Sequence, residues 1–317
     1  MKLSQYIGLK LLSGIPLLLG VTFISFLLMV YFGPDKTFEL LGKNPSTEQI
    51  SELRSQLGYD RPFLVRYGAY LRELATLDLG LSDTTGERVS GLLGRTVPVS
   101  IALILPGFIL GNLGGIVLGL IAAWNRGRWL DRTIMGLSVA GMSLSFLVII
   151  IALQVLLCTP FGLNLFPARG WDAGSLASYL QHVTVPTLAI LLVTLGYNTR
   201  FYRAVMAEEL GRDHVRTLLA FGTPTTRILF RHVLKNSMVA VTTRVMFSIP
   251  LIIVSGSLLI ETYFGIPGVG KATFDAITSG DQPVLKSVVG LTAVLFVFIQ
   301  VLVDIVYRIV DPRVASQ

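Results

Sequence analysis

The chain has 317 residues, 52% of them hydrophobic and only 14% charged, with a mean hydropathy of +0.69. Uncharged runs long enough to cross a bilayer recur along it, which excludes an ordinary soluble domain. The net charge of +7 is spread over several loops, and so reads as topology signals and lipid-headgroup contacts rather than a nucleic-acid surface.

The composition predicts an all-α, polytopic membrane protein. Cys158 stands alone, so neither a disulfide framework nor a cysteine metal site is available. His182, His214 and His232 fall on two expected sides of the membrane, and no metal site is expected from them.

Lys2 and Lys10 precede an apolar run from Leu11 to Phe32. It is too long for a signal h-region, and no small-x-small site follows before Gly33-Pro34, so it is read as a first membrane helix entering from the cytoplasm. The expected organisation is this helix over 1–32, an extracytoplasmic segment over 33–94, a core of five more membrane helices over 95–307 and a cytoplasmic tail over 308–317. Residues 33–97 carry eight Lys/Arg against nine Asp/Glu, a balance that translocates readily. Helical periodicity over Ile50–Leu57 and Pro62–Leu74 predicts short surface helices there. The segment is long for a loop, and is expected to dock a binding protein or cover the outer mouth.

The second span is expected from about Val99 to Ala123, with Pro98 in its first turn. Gly107, Gly111, Gly115 and Gly119 lie at i, i+4 spacing and place one bare stripe on that helix. In lipid such a stripe lets another backbone approach closely; a glycine-lined substrate path is the weaker alternative. Trp124–Arg132 carries three arginines and is placed inside. Further spans are expected over Ile134–Leu157, Val183–Tyr202, Met238–Ile260 and Val288–Tyr307, giving six with both termini inside. The inside segments then hold 14 Lys/Arg and the two shorter outside loops three.

Gly265–Thr273 (GIPGVGKAT) nearly matches a phosphate loop, but Ala272 replaces the magnesium-binding hydroxyl and the segment follows a membrane helix rather than a strand. Nucleotide binding there is rejected. Arg244 sits about two turns into the fifth span, where it snorkels or pairs inside the bundle, and Glu261 lies at that span's outer end. Asp304 and Arg308 have the spacing of a local ion pair. No span carries a carboxylate at its centre, and no hydrolase constellation appears.

The polar insert from Tyr197 to Ser237 is strongly basic and is therefore placed in the cytoplasm. Glu208–Ala220 reads as helix, Gly222 as the left-handed residue after its end, and Thr223-Pro224 as the cap and first turn of a second helix to about Asn236. In that second helix Arg227, Arg231 and Lys235 share one face, with Leu229 and Val233 on another. A mechanical lever and a solvated hairpin that only sets topology are equally compatible with these residues.

The insert resembles the EAA-type loop of ABC importer permeases in its peptide-importer form, through Val215-Arg216-Thr217, Ala220, Gly222, Arg231-His232 and Lys235-Asn236. Similar motifs run along most of the chain: Leu57-Gly58-Tyr59-Asp60-Arg61-Pro62, Asp78-Leu79-Gly80, Arg95-Thr96-Val97-Pro98, Trp129-Leu130-Asp131-Arg132, Glu261-Thr262 with Pro267-Gly268-Val269-Gly270, and Asp311-Pro312-Arg313. The likeness is to the first permease of the dipeptide/oligopeptide/nickel branch, with its type I importer fold. Two departures stand out. Leu218, Leu219 and Phe221 replace small or basic residues, implying a more apolar docking face. No proline precedes Phe146 in Met142-Ser143-Leu144-Ser145-Phe146.

The resemblance implies a non-enzymatic subunit of the bacterial inner membrane, importing di- or oligopeptides or peptide-like solutes. Its implied partners are a second homologous permease, two cytoplasmic ATPases that bind the ATP and Mg, and an extracytoplasmic binding protein. This chain would hold no cofactor. The implied ATPase contact is His214, Val215, Arg216, Thr217, Leu218, Ala220, Phe221 and Gly222, with Arg231 behind it. A stand-alone carrier driven by an ion gradient is the alternative, disfavoured because no internal repeat with paired broken helices is visible.

Overall fold

A computed structural model describes residues 3–32, 37, 41, 46–56, 58–251 and 257–310, and of these all side chains but those at 3–7, 9–11, 56, 250, 251, 304 and 307–310. The described residues are helical apart from turns and one isolated β-bridge, Leu81 to Arg88. The expected ion pair of Asp304 with Arg308 lies outside the described side chains.

Four helices are each long and apolar enough to cross a membrane: α1 (Leu3–Phe32), α4 (Val89–Trp124), α7 (Leu176–Leu210) and α13 (Gln282–Val310). The expected third span is not one helix. It divides into α5 (Trp129–Ser143) and α6 (Phe146–Cys158), bent by 99°. Leu144 and Ser145 are extended there, and the Ser143 hydroxyl donates to the Val139 carbonyl at 2.8 Å. That back-bond competes with the helix ladder and helps end α5 without any proline.

Within the expected fifth span the described residues form α10 (Lys235–Leu251) and α11 (Ser257–Phe264), with 252–256 outside the described residues. Among the described residues the first, second, fourth and sixth expected spans are single helices and the third is a bent pair.

The described residues fall into two compact units, one within Met1–Thr96 and Ala272–Phe298, the other within Val97–Lys271 and Ile299–Gln317. The expected boundary at 94/95 lies inside α4, which starts ten residues earlier than the hydropathy predicts and runs through Pro98. Val89 and Leu93 hold its first turns in place by packing with Ala276 and Val284.

In the first unit, Ser46 and Gln49 cap α2 (Thr47–Gln56) reciprocally, at 3.0 and 3.2 Å. Phe63, Tyr67 and Tyr70 of α3 (Phe63–Thr76) pack on Phe23 and Phe26 of α1, with Phe26 and Tyr70 stacked at 5.4 Å. Tyr70 donates to the Lys286 carbonyl at 3.0 Å, and Asp281 caps α13 while accepting from Ser82 Oγ at 2.5 Å.

In the second unit, α7 fills the glycine stripe of α4. Cβ atoms built on Gly107, Gly111, Gly115 and Gly119 meet Ile190, Thr194, Asn198 and Tyr202 at 2.7–2.9 Å. Each step of four along α4 meets a step of four along α7 in the same direction, so the two helices run parallel and the bent α5–α6 pair makes a single return crossing. Across the seam the Asn112 carbonyl oxygen accepts from Asn198 Nδ2 and from Tyr202 OH, both at 2.8 Å. All three residues are buried, so the polar atoms satisfy one another in a medium where an unmet donor is expensive.

Candidate coupling site

The expected helix over Glu208–Ala220 is broken. The membrane helix α7 ends at Leu210, Gly211 and Arg212 turn the chain, and an eight-residue helix α8 (Asp213–Ala220) follows. Gly222 closes α8 at φ +71°, as its position after the helix predicts. The Gly222 amide donates to the Leu219 carbonyl at 3.0 Å and the Thr223 amide to the Leu218 carbonyl at 3.1 Å, the paired bonds of a Schellman cap. Pro224, not Thr223, precedes the next turn, α9 (Thr225–Arg227).

From Ile228 to Leu234 the chain is π-helical rather than α-helical. Ile228 and Val233, five apart, are both fully buried, which is the spacing an i→i+5 pitch brings onto one face. Leu229, expected on the same face as Val233, is partly buried and packs against the same cluster. Arg227, Arg231 and Lys235 are all exposed, and α10 continues from Lys235.

One side of α8 faces the bundle. Val215 is fully buried and Leu218 packs beside it, in a cluster with Leu120 of α4, Tyr202 and Met206 of α7, Ile228, Val233 and Val241. Burying Val215 alone stabilises this seat by about 2 kcal/mol. Leu218 therefore faces inward and leaves the apolar outer face to Leu219 and Phe221, 47% and 82% exposed. His214, Arg216, Thr217 and Ala220 are exposed as well.

Two carboxylates brace this seat. Glu209, 4% exposed, accepts from Asn236 Nδ2 at 2.8 Å, pairs with Arg212 Nε at 2.9 Å and has His214 Nε2 at 3.4 Å. It thereby joins the end of α7, the start of α8 and the start of α10. Asp131 takes the Arg203 guanidinium in a two-pronged pair at 2.5 and 2.6 Å, and the Gly127 amide at 2.8 Å. That fixes the Trp124–Arg132 loop to α7. Bidentate geometry of this kind resists rotation of one helix against the other. In the sequence Glu209 reads only as one of three acids in a basic loop, and Asp131 only as part of the Trp129–Arg132 motif. Glu209 in a loop dominated by arginine was the available signal.

The phosphate-loop look-alike already holds a carboxyl group from its own chain. Glu261 is fully buried at the N-terminus of α12 (Val269–Ser279), with Ser100 Oγ at 2.5 Å from Oε1 and the Lys271 amide at 3.1 Å from Oε2. The Ser100 hydroxyl also accepts the Val269 amide at 2.8 Å. A Cβ on Gly268 would stand 2.3 Å from the Glu261 carboxylate, so the glycine leaves the space that the side chain fills. The segment satisfies a helix N-terminus with its own carboxylate rather than with phosphate. Arg244 has no carboxylate partner among the described residues. Its guanidinium carbon lies 5.8 Å from the centroid of the Phe201 ring, and its buried Nε has no acceptor.

Residues 115–316 match the family described as binding-protein-dependent transport system inner membrane component, and residues 3–79 match its N-terminal companion. The chain belongs to that family. It is 34% identical over 308 residues to a putative peptide transport system permease protein of Brucella abortus, covering 96% of this chain and 97% of the relative. It is 32% identical over 300 residues to the dipeptide transport system permease protein DppB of Bacillus subtilis, covering 94% and 93%. A di/tripeptide permease of Pseudomonas aeruginosa is 30% identical over 335 residues, covering 99% of each chain. A multi-pass inner-membrane permease subunit, with no catalytic role of its own, accounts for both the apolar helices and the family.

Proposed function

We propose that this chain is one permease of an ATP-driven, binding-protein-dependent importer of di- and oligopeptides, and that α8 is its contact with an ATPase. The likeness to peptide permeases along nearly the whole chain supports the substrate class. The observation that carries the coupling role is the two-sided build of α8, with Val215 and Leu218 seated in the bundle and Leu219 and Phe221 projecting away from it. The helix is tied through Glu209 to both α7 and α10, so a push on its outer side moves both helices.

In this reading a second, homologous permease completes the pathway, two cytoplasmic ATPases bind ATP and Mg, and an extracytoplasmic protein delivers the peptide. The basic loops, and with them both termini, face the cytoplasm. Closure of the ATPase pair biases a two-state equilibrium of the permeases by binding one state better than the other. Reconstitution into proteoliposomes tests it. Dipeptide uptake is expected only with the second permease, the ATPases, ATP and the binding protein all present. Uptake by this chain alone, driven by an ion gradient without ATP, overturns the proposal.

A further inference from the structure

A cavity of about 320 Å³ opens in the first unit, between the end of α3 and the start of α13. Tyr70, Glu73, Asp78, Gly80, Lys286 and Ser287 contribute to its wall. The elements around it are held firmly. Tyr70 is hydrogen-bonded to the backbone of α13, and a Cβ on Gly290 would meet Leu74 of α3 at 2.4 Å, so the two helices touch where that glycine sits.

Lys286 is half-buried on this wall, whereas Glu73 and Asp78 are exposed. Lys286 Nζ lies 5.7 Å from the centroid of the Phe26 ring, and no ion pair joins Lys286 to Glu73, Asp78 or any other carboxylate among the described residues. The half-buried Lys286 ammonium is the poorly compensated charge, which a ligand carboxylate relieves, while the exposed Glu73 and Asp78 carboxylates add an attraction for a ligand's ammonium group. A few fixed charges on a partly apolar wall are the usual make-up of a small-molecule site.

We propose that this cavity is a subsite for a small zwitterionic peptide, with Lys286 meeting its carboxylate and Glu73 together with Asp78 meeting its ammonium group. The proposal rests on the peptide-import reading and places a peptide contact within this chain, apart from the binding protein. With two carboxylates against one ammonium, the wall tolerates an added positive charge on the ligand better than an added negative one. A blocked end removes one of the two attractions, so capped peptides bind more weakly than free ones.

The test uses the complete transporter in nanodiscs, without the binding protein, and measures binding of dialanine, N-acetyl-dialanine and dialanine amide. Free dialanine is expected to bind about tenfold tighter than either capped form, a difference of about 1.4 kcal/mol. Lys286→Gln should weaken dialanine by a similar factor and leave the amide unchanged. Glu73→Gln should weaken dialanine and leave the acetylated peptide unchanged. Equal losses for all three ligands in both variants mark general damage to the fold and overturn the proposal, as does absence of dialanine binding. Displacement of dialanine by glycerophosphoethanolamine at lower concentration assigns the cavity to lipid headgroups and overturns it too. Uptake of dialanine by the same preparation with binding protein and ATP is scored separately, so failure of the subsite is distinguishable from failure of the importer reading.

Discussion

Gly222→Pro abolishes substrate-stimulated ATP hydrolysis in the assembled transporter and leaves membrane insertion intact. The native residue sits at φ +71°, a region closed to proline, whose ring fixes φ near −65°. Proline also removes the amide that donates to the Leu219 carbonyl, and it displaces the Thr223 amide from the Leu218 carbonyl. Both bonds of the cap are lost at once, at a cost of about 3 kcal/mol or more. An eight-residue helix has too few turns to absorb that loss, so Leu219 and Phe221 lose their fixed position. Gly222→Ala keeps the amide and carries only a left-handed strain of about 1–2 kcal/mol, so partial stimulation is expected from it. ATPase assays with and without loaded binding protein, beside a measurement of membrane-inserted protein, check both variants. Full stimulation in the proline variant rules out α8 as the coupling element.

Gly115→Leu has the largest expected effect on folding. A Cβ there already lies 2.8 Å from the Asn198 Cβ and 3.4 Å from the Thr199 amide, so a full leucine forces α4 and α7 apart. Separation breaks the bonds of Asn112 with Asn198 and Tyr202 and leaves their polar atoms unmet inside the bundle. Overpacking costs about 1–3 kcal/mol, and each orphaned polar group adds about 1–3 kcal/mol more. Low yield of folded protein and a Tm lowered by several degrees are expected in detergent. Gly94→Ala in the same helix is the contrast: nothing lies within 4 Å of its Cβ, and alanine is favoured over glycine in a helix by up to about 1 kcal/mol. Equal melting of Gly115→Leu and the native chain contradicts the helix seam.

Much of this was legible in the sequence because lipid imposes simple rules. Length and hydropathy located α1, α4, α7 and α13, and the four-residue glycine period marked the face of α4 that meets α7. Helix ends were less legible. α4 extends upstream because Val89 and Leu93 find partners near α13, a tertiary effect that no local window contains. The α5–α6 bend depends on extended backbone at Leu144 and Ser145, where the sequence shows only a continuous uncharged run.

The site was half legible. Gly222 and the short helix before it followed from turn chemistry, whereas the inward turn of Leu218 and the π-helical stretch follow from burial of Val215, Ile228 and Val233 in one cluster. The role of Glu209 depends on Asn236, 27 positions away, which hydrogen-bonds to it only in the folded loop.

One side of α8 is expected to meet an ATPase while its other side stays in the bundle. Single cysteines at Leu218, Leu219 and Phe221, each carrying a benzophenone photoprobe, test it in the assembled transporter. The native Cys158 is buried and does not compete for labelling. Probes at 219 and 221 are expected to crosslink to the ATPase subunit, and a probe at 218 to residues of this chain. A transport-competent complex in which neither outer position reaches the ATPase contradicts the account.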